Sequence, residues 1–191
     1  MLNKKYFQTI RQDLLSYAEK RREVIKEAGD AQHAAKRAIF ALQRDNAPEA
    51  AQSLKTAEAR LKSLYNKFKK EPALFDEGSY RAGLEEFVEA ALLKQIIDGK
   101  EISEIKGLPI DSDLYISGLA DVPGELVRYA TKAATERKFD IVKHCYAVAE
   151  AIIGEMVDMD LTGYNRQKFD QAKQALHKLQ QIVYEVSLKN K

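Results

Sequence analysis

Apolar residues recur every three to four positions along most of the chain, which is the spacing of one face of an α-helix. The first such segment runs from about Lys4 to Arg44, with Gly29 as its only internal weak point, and the last from about Thr162 to Leu188. No segment alternates apolar and polar residues between turn signals, so the pattern predicts no β-strand. We therefore expect an all-helical protein with a long N-terminal helix.

Prolines and glycines mark the ends of the other predicted helices, because proline disfavours helix in the residue before it and glycine ends a helix at little cost. These helices run from Pro48 to about Lys70, from Asp76–Ser79 to about Asp98, from a cap at Asp111 or Ser112 to about Glu136, and from Phe139 to about Val157. A short helical turn is also predicted at Ile102–Lys106. Because the apolar arcs of the later helices are broad, we expect one packed bundle of about seven helices over residues 1–191 rather than a coiled coil.

Charge and cysteine content narrow the functional classes. The 31 lysines and arginines nearly balance the 29 aspartates and glutamates, so nucleic-acid binding would need a local basic patch. The single Cys145 excludes an internal disulfide and fits a reducing cytoplasm. The first residues lack the apolar run of an export signal, and no stretch approaches the roughly 18 apolar residues of a membrane span. We expect a soluble cytoplasmic protein without a membrane partner.

Two acids in the predicted helix that ends near Asp98 point toward a covered surface. Leu84 and Leu93 fall on opposite sides of this helix at about 100° per residue, so the helix is apolar nearly all round and should be buried on most sides. Glu86 and Glu89 lie in line with Leu93, and burying two acids one turn apart costs free energy unless a cation neutralises them. The alternative is that these acids and Glu85 form a solvated face near the helix N-terminus, where negative charge is favoured.

A second acid pair lies in the predicted helix that ends near Glu136. Asp121 and Glu125 are four residues apart and share the face opposite the apolar arc. Gly118 and Gly124 flank them on that face, where the missing side chains would let a ligand or another helix come close.

Pro123 stands between these two acids, inside the predicted helix. It removes the hydrogen bond to Leu119 and costs about 3 kcal/mol unless something compensates. Departures of this kind from local structural rules are expected at functional sites. The alternative is a surface pair of Glu125 and Arg128 with a tolerated kink.

The two acidic helices are joined by a short connection, so antiparallel packing would bring their four carboxylates together. Oxygen donors of this kind suit Mg²⁺ or Mn²⁺. A metal ion held by such carboxylates activates water and offsets charge on a phosphoryl oxygen, which is the chemistry of phosphodiester hydrolysis. Glu150, at the edge of the apolar arc of the helix from Phe139, is either a further ligand or a salt-bridging residue at the core boundary.

The remaining chemically active residues give weaker indications of a functional site. His144 and Cys145 are consecutive and do not face each other as a dyad, and Cys145 is predicted to lie in the core. The chain has no glycine-rich phosphate loop. Basic residues cluster twice, and each cluster is either a set of phosphate contacts or a solvated helix face. The clusters are Lys20-Arg21-Arg22 with Lys26, and Lys62, Lys67 and Lys69-Lys70; Arg128 joins the first as a predicted nucleic-acid contact.

Three segments resemble one known family. Gly83–Ala90 reads GLEEFVEA, Tyr115–Arg128 reads YISGLADVPGELVR, and Ile182–Leu188 reads IVYEVSL. Together they resemble the translin family, most closely its catalytic branch of translin-associated factor X. The resemblance covers nearly the whole chain, and the Gly-Leu-Ala-Asp-x-x-Gly-Glu-Leu segment is its most specific part.

This resemblance implies an all-helical subunit that assembles into a hollow oligomer, here a homo-oligomer and an octamer, enclosing single-stranded RNA or DNA. It implies a Mg²⁺-dependent endoribonuclease in which Glu86, Glu89 and Asp121 bind the metal ion and Glu125 is a further ligand or the base that orients water. The alternative is a non-catalytic protein that binds single-stranded RNA or DNA. A third class, a structural adaptor, would bind no oligonucleotide at low salt.

Overall fold

The computed structural model describes residues 1–189; residues 190 and 191 of the expected domain lie outside it. Within this range the chain forms six α-helices and no strand, which confirms the all-helical prediction. The helices are α1 (Lys4–Gln43), α2 (Ala47–Phe68), α3 (Gly78–Ile97), α4 (Ser112–Thr135), α5 (Phe139–Val157) and α6 (Gly163–Lys189).

The count of about seven was one too high, because Ile102–Lys106 forms no helix. So short a segment makes too few backbone hydrogen bonds to offset the cost of helix nucleation. Its two isoleucines instead pack onto the core from an irregular loop. A short 3₁₀ turn occurs earlier, at Pro72–Leu74, where proline occupies the first position of the turn.

Capping residues explain where several helices begin and end. Asn3 accepts a hydrogen bond from the Tyr6 backbone amide (3.1 Å) at the start of α1. Asp111, rather than Ser112, caps α4 by accepting from the amide of Leu114 (2.7 Å). Gly99 follows α3 with φ +68°, a left-handed conformation that glycine adopts without strain.

Helices α3 and α4 lie in the middle of the bundle. Helix α1 packs along α2 and α3, α3 packs against α4, and α4 packs against α5 and α6. Helix α3 is covered on most sides, as its apolar pattern predicts, and Leu84, Val88 and Leu93 are all buried. The acids of α3 and α4 therefore lie between the two middle helices, within reach of α1 and α6.

The first half of α1 projects from the bundle. Val24 is its first buried residue, so about 20 residues, or about 30 Å of helix, precede the core contacts. This segment exposes large apolar side chains, among them Tyr6, Phe7, Leu14 and Leu15. Among residues 1–189, every helix is too short or too polar to cross a bilayer.

Candidate active site

A close crossing of α3 and α4 positions the acids. A Cβ atom on Gly118 would lie 2.7 Å from Cβ of Val88 and 2.9 Å from the carbonyl oxygen of Glu85, so only glycine fits there. The expectation of a close approach is thus confirmed at Gly118, whereas Gly124 faces open space. This contact brings the acidic turn of α3 against the acidic face of α4.

Glu89 is the most buried of the four predicted acids, with 8% of its surface exposed. Within residues 1–189 its carboxylate has no hydrogen-bond or ion-pair partner. The pKa of Glu89 is raised to about 9, mainly by burial and to a smaller extent by the neighbouring Asp121, Glu86 and Glu125 in that order, while Lys168 opposes the increase. Glu89 therefore experiences the charge of all three other acids.

Glu86 faces α1. Its Oε2 atom accepts a hydrogen bond from Nε2 of Gln32 (3.5 Å) and lies 3.6 Å from Nζ of Lys36. Burial raises the pKa of Glu86 even though Lys36 and Gln32 favour the charged form. Glu86 is thus a half-buried carboxylate whose nearest cation lies on an exposed lysine.

The two acids of α4 have partners on different sides. Asp121 forms an ion pair with Lys168 of α6, and Glu125 accepts a hydrogen bond from the side-chain amide of Gln43. Arg128 lies 3.7 Å from Glu125, so the predicted local pair forms, although the Glu125 side chain is only 14% exposed. Burial raises the pKa of both acids.

Pro123 lies inside α4 between these acids, as predicted, and the structure shows that it is buried. The helix continues through it to Thr135. Its missing amide therefore lies within the turn that carries both carboxylates.

A cavity of about 350 Å³ opens over three of the acids. Its lining consists of Lys36, Ile39, Phe40, Glu86, Glu89, Glu125 and Arg128. The two cations have largely exposed side chains, whereas Glu89 is buried. The cavity therefore has an acidic floor and exposed positive charge at its rim, and Asp121 is not part of its lining.

The donor set suits a hard divalent cation, because every candidate ligand is a carboxylate. Among residues 1–189, however, no group of three or more His, Cys, Asp or Glu side chains is arranged to hold a metal ion. The contacts explain this, since Glu86, Asp121 and Glu125 are each directed at a lysine, arginine or amide of the protein. The carboxylate of Glu89, which has no partner within residues 1–189, is the observation that fits a divalent cation as its ligand.

Other candidate residues lie elsewhere. Glu150 is exposed on α5, where it accepts a hydrogen bond from Tyr146. It does not line the cavity and forms no salt bridge within residues 1–189. The structure therefore matches neither the predicted metal ligand nor the predicted salt-bridging residue. Cys145 is 1% exposed and belongs to the core, as predicted. Burial raises the pKa of its thiol to about 12.

The predicted basic cluster on α1 is partly engaged within the subunit. Lys20 pairs with Glu71 (2.8 Å) and Arg21 pairs with Glu77. Arg22 and Lys26 are exposed and make no hydrogen bond or ion pair with residues 1–189. In the second cluster, Lys62 and Lys67 also pair with glutamates.

Sequence reasoning missed the side chains that face the acids from α1 and α6. Gln32, Lys36 and Gln43 lie four and seven residues apart, which places polar groups on one face of α1. Lys168 lies three residues after the buried Asn165 and four before the buried Ala172, so a lysine occupies a core position. A charged residue at core spacing was the available signal.

The chain is similar to known proteins in its sequence family and in its fold. A family model described as the Translin family matches residues 19–190. No curated protein sequence matches the chain.

Solved structures share the fold. Apo-NeC3PO has a TM-score of 0.87 and 20% sequence identity, covering 97% of this chain and 98% of that chain. AfC3PO has a TM-score of 0.83 and 22% identity, covering 96% and 98%. A complex of AfC3PO with duplex RNA has a TM-score of 0.82 and 21% identity, covering 96% and 97%. At 20 to 22% sequence identity, these matches show that the proteins share a fold.

Proposed function

The chain belongs to the translin family, and on that basis we propose that it is a Mg²⁺-dependent endoribonuclease that cuts single-stranded RNA inside a homo-oligomeric cavity. The observation that carries this proposal is the carboxylate of Glu89, which lines the cavity on a residue only 8% exposed, has no hydrogen-bond or ion-pair partner within residues 1–189 and has three further acids around it. Burying like charges together costs free energy, so a purely structural role gives no reason for this arrangement. The same feature favours the catalytic branch of the family.

The residues that would hold Mg²⁺, or Mn²⁺ in its place, are Glu86, Glu89, Asp121 and Glu125. When bound, such an ion supplies positive charge at a phosphoryl oxygen and lowers the pKa of water. Glu125 has a second task in this proposal, which is to orient the attacking water. Its hydrogen bond from Gln43 and its neighbour Arg128 hold its carboxylate at the cavity wall.

Lys36 and Arg128 are proposed to hold the RNA phosphate. Both line the cavity, both side chains are largely exposed, and their contacts with the acids are long, at 3.6 and 3.7 Å. Because each cation is exposed and its ion pair with the acid is long, either side chain can also reach a phosphate in the cavity. Such contacts provide affinity that is independent of sequence and sensitive to salt.

Assembly into a homo-oligomer, an octamer in our proposal, would cover the projecting half of α1. Its exposed aromatic and leucine side chains form a large apolar surface of the kind that marks protein interaction sites. Arg22 and Lys26, on the same helix and without partners in residues 1–189, would then contribute to an RNA-binding surface. The solved complex of AfC3PO with duplex RNA supports RNA as the ligand.

The test is cleavage of end-labelled single-stranded RNA by the purified protein, with Mg²⁺ and with chelator, after light scattering has measured the mass of the assembly. We expect internal cuts with Mg²⁺ only. Glu89→Gln and Asp121→Asn should lower the rate about 100-fold or more, because several kcal/mol of transition-state stabilisation are removed. Glu150→Gln, a change at an exposed acid outside the site, is the matched control. Equal cleavage by all four proteins would remove the catalytic assignment.

The second candidate is a protein that binds single-stranded RNA or DNA without cutting it. It is favoured by one observation, that three of the four acids already have protein partners and form no arranged metal site in residues 1–189. It predicts salt-sensitive retention of oligonucleotides that stay intact with Mg²⁺. A gel-shift series with single-stranded RNA, single-stranded DNA and duplex RNA distinguishes the ligands, and absence of any binding at low salt would indicate a structural adaptor.

A further inference from the structure

Lys168 of α6 is a buried cation shared by two other helices. Its ammonium pairs with Glu85 of α3 and with Asp121 of α4, and only 11% of its side chain is exposed. Tyr164, one turn earlier, donates a hydrogen bond to Glu85 (3.0 Å), and the Lys168 ammonium lies 5.2 Å from the centre of the Tyr164 ring. Lysine is seldom buried without such partners, so this position is built for a positive charge.

The two partners of Lys168 differ in their relation to the cavity. Asp121 influences Glu89 electrostatically, yet it does not line the cavity that Glu86, Glu89 and Glu125 line. Its carboxylate is directed at Lys168 instead. Glu85 does not line the cavity either, and it has Tyr164 as a second partner.

We infer that Lys168 is a resident cation that competes with the divalent ion for the carboxylate of Asp121. In the metal-free protein it balances the charge of Asp121 and keeps that side chain out of the cavity. When a divalent ion binds, Asp121 turns to the ion, while Glu85 and the Tyr164 ring retain the ammonium. This inference rests on the proposed metal site, and it assigns Glu85 the task of holding Lys168 when Asp121 leaves.

If Lys168 competes with the ion, two variants should change the affinity for Mn²⁺ in opposite directions. Lys168→Met removes the competitor and a nearby positive charge, so the affinity for Mn²⁺ should rise about tenfold. Glu85→Gln leaves Asp121 as the only carboxylate partner of Lys168, so Mn²⁺ affinity should fall several-fold. Lys168→Arg keeps the charge and should stay close to wild type. The measurement is titration with Mn²⁺ followed by the electron paramagnetic resonance signal of free Mn²⁺, which needs no RNA cleavage.

Thermal unfolding gives a second measurement, which remains informative if Lys168→Met is less stable than wild type in the absence of metal. Thermal unfolding with and without Mn²⁺ should show a larger stabilisation by the ion in Lys168→Met than in wild type, because the ion replaces the lost charge. Affinity that is unchanged or lower in Lys168→Met, or higher in Glu85→Gln, would overturn the competition. Equal affinity of wild type and Glu89→Gln for Mn²⁺ would instead refute the proposed metal site. Absence of Mn²⁺ binding by any of the proteins would overturn both the metal site and the competition.

Discussion

Glu89→Gln in the metal-free protein is the sharpest test of the buried carboxylate. The ordinary pKa of this side chain is 4.5, and burial raises it to about 9 in the folded protein. Between these two values the folded protein keeps a proton on Glu89 that the unfolded chain has released. The free energy of unfolding must therefore fall as pH rises through this window, by roughly 1.4 kcal/mol for each pH unit.

Glutamine has nearly the same shape and carries no charge, so the variant lacks this contribution. Between about pH 6 and about pH 8, wild type should lose roughly 3 kcal/mol more stability than Glu89→Gln. Below about pH 4 the contribution is fully present in wild type, and the two proteins should differ little. Glu86, Asp121 and Glu125 also have raised pKa values, so the variant keeps part of the pH dependence and the difference between the proteins isolates Glu89.

The assay is urea unfolding followed by circular dichroism, in chelator, at a series of pH values. Glu150→Gln, at an exposed acid, should follow wild type at every pH. Adding Mg²⁺ should stabilise wild type more as pH rises, because deprotonated Glu89 is the ligand, and should have little effect on Glu89→Gln. Parallel stability profiles for wild type and Glu89→Gln would refute the reasoning, since Glu89 would then titrate like a solvated carboxylate.

Three further outcomes are expected. Gly118→Ala should lower the free energy of unfolding by about 1 to 3 kcal/mol, because the new Cβ atom would meet the backbone oxygen of Glu85. Gly124→Ala should raise the free energy of unfolding by up to about 1 kcal/mol, because this position faces open space. Urea unfolding measures both changes. Lys36→Ala should weaken RNA binding for all sequences alike and reduce the salt dependence of log affinity by about 1, as filter binding at several salt concentrations will show. Cys145 should react with a thiol reagent only at the rate of unfolding, because it is buried and its pKa is raised to about 12, and fast reaction in native buffer would contradict its place in the core.

The local periodicity of apolar residues predicted most of the helices and part of the candidate site. The predicted limits of the helix at Phe139–Val157 and the predicted start at Lys4 match the structure, and the other helix limits differ by at most two residues. The apolar residues around α3 indicated that Glu89 points into a covered place, and it is 8% exposed. Both results depend on neighbours within a few turns of one helix, which is the range over which a repeat of 3.6 residues is informative.

The partners of the acids could not be read in this way. Lys168 meets Asp121 across 47 positions of sequence, and Gln43 meets Glu125 across 82. No local pattern encodes such pairings, because they depend on which helices pack together and at what distance. Residues 102–106 show the converse, since a pattern that suggested a helical turn became an irregular loop whose isoleucines pack onto the core.

The sequence by itself determined the helices, the burial of α3 and the presence of two acid pairs with a glycine and a proline among them, because each is a property of one helix and its periodicity. The tertiary structure decided that Gly118 brings α3 within contact of α4, that Glu89 is left without a partner, and that Lys36 and Lys168 face its neighbours. Charges on separate helices interact only after packing has excluded water and set their separation, so the electrostatics of this site belong to the folded bundle.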